Sequence, residues 1–119
     1  MSDIRRLDQS ARRSRALIHN GIVYLSGQVP DRRSEGIAQQ SQQVLDKIDA
    51  LLEEAGTHKS RILSAQIWLK SMDDFKQFNE VWDAWVVPEQ TPTRSCGRVE
   101  MNDPACLVEI TVVAATEQT

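Results

Sequence analysis

A chain of 119 residues with a net charge of −3, 40% hydrophobic and 26% charged, fits one globular domain over residues 1–119, built around one core. The acidic balance offers no general attraction to nucleic acid or to acidic membranes. No apolar run approaches the roughly 20 residues that span a bilayer, and the opening "MSDIRRLDQS" has no signal-peptide core.

These features place the protein in the cytoplasm, with Cys96 and Cys106 as reduced thiols. The two histidines, His19 and His58, form no zinc-like spacing with the cysteines, so no metal site is expected.

The first fifteen residues run against the average, with Arg5, Arg6, Arg12, Arg13 and Arg15 against Asp3 and Asp8. They read either as a basic arm for phosphates or as a polar strand, solvated or lying between subunits. The lack of interleaved aromatics favours the strand. Residues 15–29, "RALIHNGIVYLSGQV", hold two short β-rich runs hinged at Asn20-Gly21, a strong hairpin signal.

From Glu35 to Ala55 the residues Ile37, Ser41, Val44, Leu45, Ile48, Leu51, Leu52 and Ala55 recur at three- and four-residue steps. They form one face of a long helix closed by Gly56. "ILSAQIWLK" at 62–70 alternates as a strand, with Leu63, Ala65, Ile67 and Leu69 on one side. A second helix is predicted from Asp73 to Val86, capped by Ser71 or Asp73, with Phe75, Phe78, Trp82, Trp85 and Val86 on its core stripe. Pro88 and Pro92 bracket a loop, and two further strands close the chain as a hairpin.

The order strand–strand–helix–strand–helix–strand–strand predicts an α+β domain: one sheet with two helices on one face. In the last strand both alternating sets are largely apolar, Cys106, Val108, Ile110 and Val112 on one side and Leu107 and Val113 on the other. A second apolar face with no helix to cover it needs a partner, and a homo-oligomer is expected.

With Asn102-Asp103 at the centre of the final turn, Cys96 would face Glu109, Arg98 would face Leu107, and Arg94 would lie diagonal to Glu109. A one-residue slip would move the whole set. A guanidinium in a cleft can hold a carboxylate by two charge-assisted hydrogen bonds, and a nearby glutamate can orient or deprotonate water. Such a pair suits a small 2-amino or 2-imino acid, although an ordinary cross-strand ion pair satisfies the same spacing. No histidine is placed to activate Cys96, which reads as a small core residue.

At these residues the chain resembles the RidA/YjgF family of reactive-imine deaminases. The resemblance rests on "YLSGQVP" at 24–30, "EEAGTHKSRIL" at 53–63, "WLKSMDDFKQFNEVW" at 68–82, "PTRSC" at 92–96 and "LVEI" at 107–110, and covers roughly residues 15–115. It implies a chorismate-mutase-like fold, a homotrimer whose other sheet faces form a central barrel, and ligand clefts between subunits. It also implies hydrolysis of 2-imino acids, of the 2-aminoacrylate type, to 2-keto acids and ammonia.

In the roles the resemblance implies, Arg94 clamps the substrate carboxylate, the backbone at Cys96 adds a hydrogen bond, and Glu109 positions water. Ser26 and Gly27 line the cleft, and Asn79 matches a cleft-side asparagine. No cofactor is needed, because a protonated C=N bond is already electrophilic. The best-known members carry a G-P-Y segment before the first hairpin. Here the matching stretch is "ARRSRA", with Arg13 or Ser14 at about the tyrosine's place, and an Arg13 there offers a second anion contact.

Three functions stay open at this point: an imine deaminase, a non-catalytic trimer binding or sensing 2-keto acids, and an interaction or RNA-associated protein resting on the basic first residues.

Overall fold

Residues 3–116 are described by the computed structural model. They form β1 (Arg5–Gln9), β2 (Ser14–His19), β3 (Ile22–Leu25), α1 (Ile37–Glu54), β4 (Ile62–Leu69), α2 (Phe75–Trp85), β5 (Thr93–Arg98) and β6 (Val108–Ala115). The strands make one six-stranded sheet in the order β1-β2-β3-β6-β4-β5. Only the β4–β5 pair is parallel.

The N-terminal segment is a polar strand, exposed except at half-buried Leu7, and pairs with β2 at the sheet's rim. The hairpin at Asn20-Gly21 forms as predicted. Both turn residues sit at positive φ, 52° and 78°, and this double left-handed turn matches the twist of the flanking strands.

Every apolar residue predicted for the inner face of α1 is buried, from Ile37 to Ala55. The helix closes at Gly56 (φ 83°), where the Gly56 and Thr57 amides donate to the carbonyls of Glu53 and Leu52. Thr57 then ties this exit to β6 by donating its hydroxyl to the Ala115 carbonyl.

Gln40 also lies on the inner face of α1 and is fully buried. Its amide nitrogen donates to the carbonyls of Arg33, Glu35 and Ala105, and its oxygen accepts from the Leu107 amide. One side chain thereby pins the helix to the loops on both sides of it.

Ser71 caps a single 3-10 turn (Met72–Asp74) rather than the helix itself, its hydroxyl accepting from the Asp73 amide at 3.1 Å. Helix α2 follows, burying Phe78, Trp82 and Trp85. Trp85 keeps its indole N–H satisfied by donating to Asp49 on α1.

In β4, Ala65, Ile67 and Leu69 face the helices as predicted, whereas Leu63 does not. The pairing with β6 shifts register between Ile62 and Ser64, which turns Leu63 outward (46% exposed) and buries Ile62 instead.

The predicted final hairpin is not formed. β5 runs parallel to β4 on one side and β6 runs antiparallel to β4 on the other, so the strand between them separates the two. Residues 99–107 cross the end of β4 instead of turning tightly. The Val99 amide donates to the Leu69 carbonyl, and the Lys70 amide donates to the Leu107 carbonyl.

Both helices lie on the face that carries Val23, Leu25, Ala65, Ile67, Val108, Ile110 and Val112. The other face presents Leu17, Ile22, Tyr24, Trp68, Thr111 and Val113 with no helix over it, and Tyr24 is 44% exposed. No helix among the described residues is long and apolar enough to cross a membrane.

Candidate functional site

The strand register sorts the predicted site residues into two groups on opposite faces of the sheet. Side chains of laterally paired residues share a face. Arg94 pairs with Ala65 and Cys96 with Ile67, which turns both toward the helices; Glu109 pairs with Trp68 on the open face. The expected convergence of Arg94, Cys96 and Glu109 in one cross-strand cluster is therefore overturned. It assumed that β5 and β6 are neighbours, and they are not.

The first group is built at the β5 edge. The Arg94 guanidinium lies 5.4 Å from the ring centre of Trp82, 5.9 Å from Phe75 and 6.0 Å from Phe78. Three aromatic faces of α2 therefore hold a cation that makes no ion pair or hydrogen bond among the described residues. Asn79 lies on the same helix, one turn after Phe75, and its amide oxygen is buried without a partner. Burial pushes the Cys96 thiol above its ordinary range, against a downward pull from Arg94, so it is held as a neutral thiol.

The second group centres on Glu109. Gln28 and Ile110 exchange backbone hydrogen bonds of 2.9 and 3.1 Å, which lays residues 26–28 alongside β6. Gly27 thereby sits against the Glu109 carboxylate, and a β-carbon built on Gly27 would overlap Oε2. Ser26 donates from its amide and its hydroxyl to the Arg15 carbonyl. The half-buried Glu109 has its pKa raised by desolvation, with the Arg33 charge pulling the other way. Arg33 is itself held by Asp103 at 2.7 Å and by the Pro30 carbonyl.

Gly27→Ala is therefore expected to displace the carboxylate while leaving the core intact. Any reaction that uses the Glu109 carboxylate should slow at least about tenfold with little change in melting temperature, since misplacing a reacting group costs rate first. Steady-state rates beside a thermal melt check this.

Sequence reasoning missed the neighbours that position these groups: the aromatic cage of Arg94, and Gln28, whose side chain donates to the Ser26 carbonyl and hydroxyl. The α2 stripe was read only as core, and it serves both purposes. Among the described residues no group of three His, Cys, Asp or Glu is placed to hold a metal ion.

One mixed sheet backed by two helices, with its second face open, is the architecture of the chorismate-mutase-like two-layer α+β proteins. The family model described as Endoribonuclease L-PSP matches residues 3–116. A RutC family protein from Haemophilus ducreyi is 43% identical over 112 residues, 94% of this chain and 96% of that protein. The RutC family protein YoaB of Escherichia coli K12 is 41% identical over 110 residues, 92% of this chain and 96% of its own length.

Among solved structures, a YjgF family protein from Neisseria meningitidis superposes with a TM-score of 0.95 at 39% identity, over 98% of each chain. The chain belongs to the RidA/YjgF family.

Proposed function

We propose that the protein is a hydrolytic deaminase of reactive 2-imino acids, working as a homotrimer in the cytoplasm and needing no cofactor. Arg94 of one subunit grips the substrate carboxylate through its guanidinium fork, and the backbone at Cys96 adds a hydrogen bond. Glu109 of the adjacent subunit, beside Ser26 and Gly27, takes a proton from water as its oxygen attacks C2 of the iminium. Glu109 returns that proton to the nitrogen of the resulting carbinolamine, and the C–N bond breaks as the carbinol hydroxyl gives its own proton back to Glu109, releasing ammonia and a 2-keto acid. Asn79 offers its unpartnered oxygen to an N–H donor of the ligand.

The observation that carries the reading is the Arg94 guanidinium, caged by aromatics yet unpaired among the described residues. A cation kept from every acid among the described residues is suited to an anion from outside. The placement of Glu109 on the opposite face fits a site completed between two chains. It also fits the open apolar sheet face, which a second and third copy would cover.

The test is direct: added to a dehydratase turning over serine or threonine, the protein speeds release of keto acid and ammonia. A protein that leaves this rate unchanged is not the deaminase.

Glu109→Gln separates chemistry from stability. The folded-state pKa of Glu109 is raised, so ionising it costs free energy in the native state. That cost is absent below the unfolded value of about 4.3 and is fully present above the folded one. At pH 7 the glutamine variant should therefore melt a few degrees higher than the parent, with no gain at about pH 4, while deaminase activity is lost. In the parent, activity should rise with pH through the Glu109 titration. A variant less stable than the parent at pH 7 would overturn the assignment of burial as the dominant cause.

A further inference from the structure

Beside Gly27, on the side away from Arg94's strand, lies a crevice of about 300 Å³ whose charged walls are Arg13, Arg15, Lys47 and Asp31. The cations are not equivalent. Lys47 is committed, with its ammonium 2.9 Å from Asp31 and 2.8 Å from the Val29 carbonyl. That pairing lowers the pKa of Asp31 and engages the one acid that lines the crevice among the described residues.

Arg15 is aimed, and its charge is only partly offset. Its Nη2 donates to Gln28 Oε1 at 3.1 Å, and Asp8 approaches its Nη1 only to 3.5 Å from an exposed position. Gln28 is 3% exposed and is itself anchored to Ser26, so it fixes the guanidinium from behind.

Arg13 makes no side-chain ion pair or hydrogen bond among the described residues. Its backbone is nonetheless braced. The Ser10 amide and hydroxyl both donate to the Arg13 carbonyl, at 2.7 and 3.0 Å, and the Ser10 oxygen accepts from the Arg12 and Arg13 amides. A rigid turn therefore presents an uncompensated cation to a crevice that shares Gly27 with the Glu109 site.

We infer that this crevice receives a second, side-chain carboxylate of the substrate, so that the preferred substrates are the imines of acidic amino acids. The inference rests on the deaminase reading and adds to it a substrate class. An apolar side chain entering here would strip water from two guanidinium groups and return nothing, whereas a carboxylate gains charge-assisted hydrogen bonds from them.

The experiment compares 2-iminoglutarate with 2-iminobutanoate, each generated in situ by an amino-acid oxidase from its parent amino acid. The wild type should show a higher kcat/KM for the dicarboxylate. Arg13→Met should lower the dicarboxylate-to-monocarboxylate ratio about tenfold, chiefly through KM, and Arg13→Lys should recover part of it.

In parallel calorimetric titrations, 2-oxoglutarate should bind the wild type more tightly than 2-oxobutanoate, and Arg13→Met should erase the difference. If 2-iminobutanoate is hydrolysed while neither the ratio nor the binding preference responds to Arg13→Met, the crevice is not a subsite and the deaminase reading stands. If the wild type accelerates neither imine, the deaminase reading fails and takes this inference with it.

Discussion

Arg94→Ala is expected to lower imine hydrolysis by about two to three orders of magnitude, because the carboxylate clamp both binds the substrate and aligns C2 with the attacking water. Arg94→Lys should rescue little of this, since a point charge cannot make the two parallel hydrogen bonds of a guanidinium. The sheet register makes a sharper result available. Arg94 and Glu109 occupy opposite faces of one chain, so each complete site would draw them from different subunits.

Arg94→Ala and Glu109→Gln are each inactive alone on this reading. Mixed in equal amounts, dissociated and reassembled, they should recover about a quarter of wild-type activity, the share of clefts that receive both intact residues across a heterologous interface. Ammonia release from the reassembled mixture measures it. No recovery from a mixture shown to exchange subunits would mean that the two residues do not serve one site.

Gln40→Leu is the substitution expected to cost most stability. The leucine matches the volume of the amide but leaves the Ala105 carbonyl and the Leu107 amide, both part-buried against Gln40, without their partners. Unsatisfied buried backbone groups cost about 1–3 kcal/mol each, so a loss of roughly 3 kcal/mol in chemical denaturation is expected. Because Gln40 also anchors the start of the α1 region through Arg33 and Glu35, the loop carrying Arg33 should loosen as well. A loss under about 1 kcal/mol would show that water replaces the amide there.

What could be read in advance follows the range of the forces involved. The Asn20-Gly21 hairpin and the inner face of α1 depend on local backbone preference and on a repeat of three and four residues, and both formed as expected. The pairing of β5 with β4 depends on contacts between residues some thirty positions apart, such as Ala65 with Arg94. Local rules favour joining two nearby β-rich runs as a hairpin, and they cannot register that β4 lies between them.

The same limit governed the candidate site. Arg94 and Glu109 stood out as charged residues in apolar strands, and the family resemblance supplied their roles. Their placement on opposite faces turned on the identity of each strand's partner, which alternation alone does not encode. The irregularity that expels Leu63 is of this kind too, a property of the β4–β6 pair rather than of either strand.

The sheet's two rims also bear on how the protein survives at high concentration. β1 and β5 each leave one row of backbone donors and acceptors unpaired among the described residues, which invites a foreign strand to zip on and seed fibrils. β1 answers with brevity and with Arg5, Arg6 and Asp8 along an exposed ribbon; β5 carries Arg94 and Arg98 and is preceded by Pro92. Arginine at both borders sets like charge against like whenever two copies approach rim to rim, and so disfavours endless growth of the sheet.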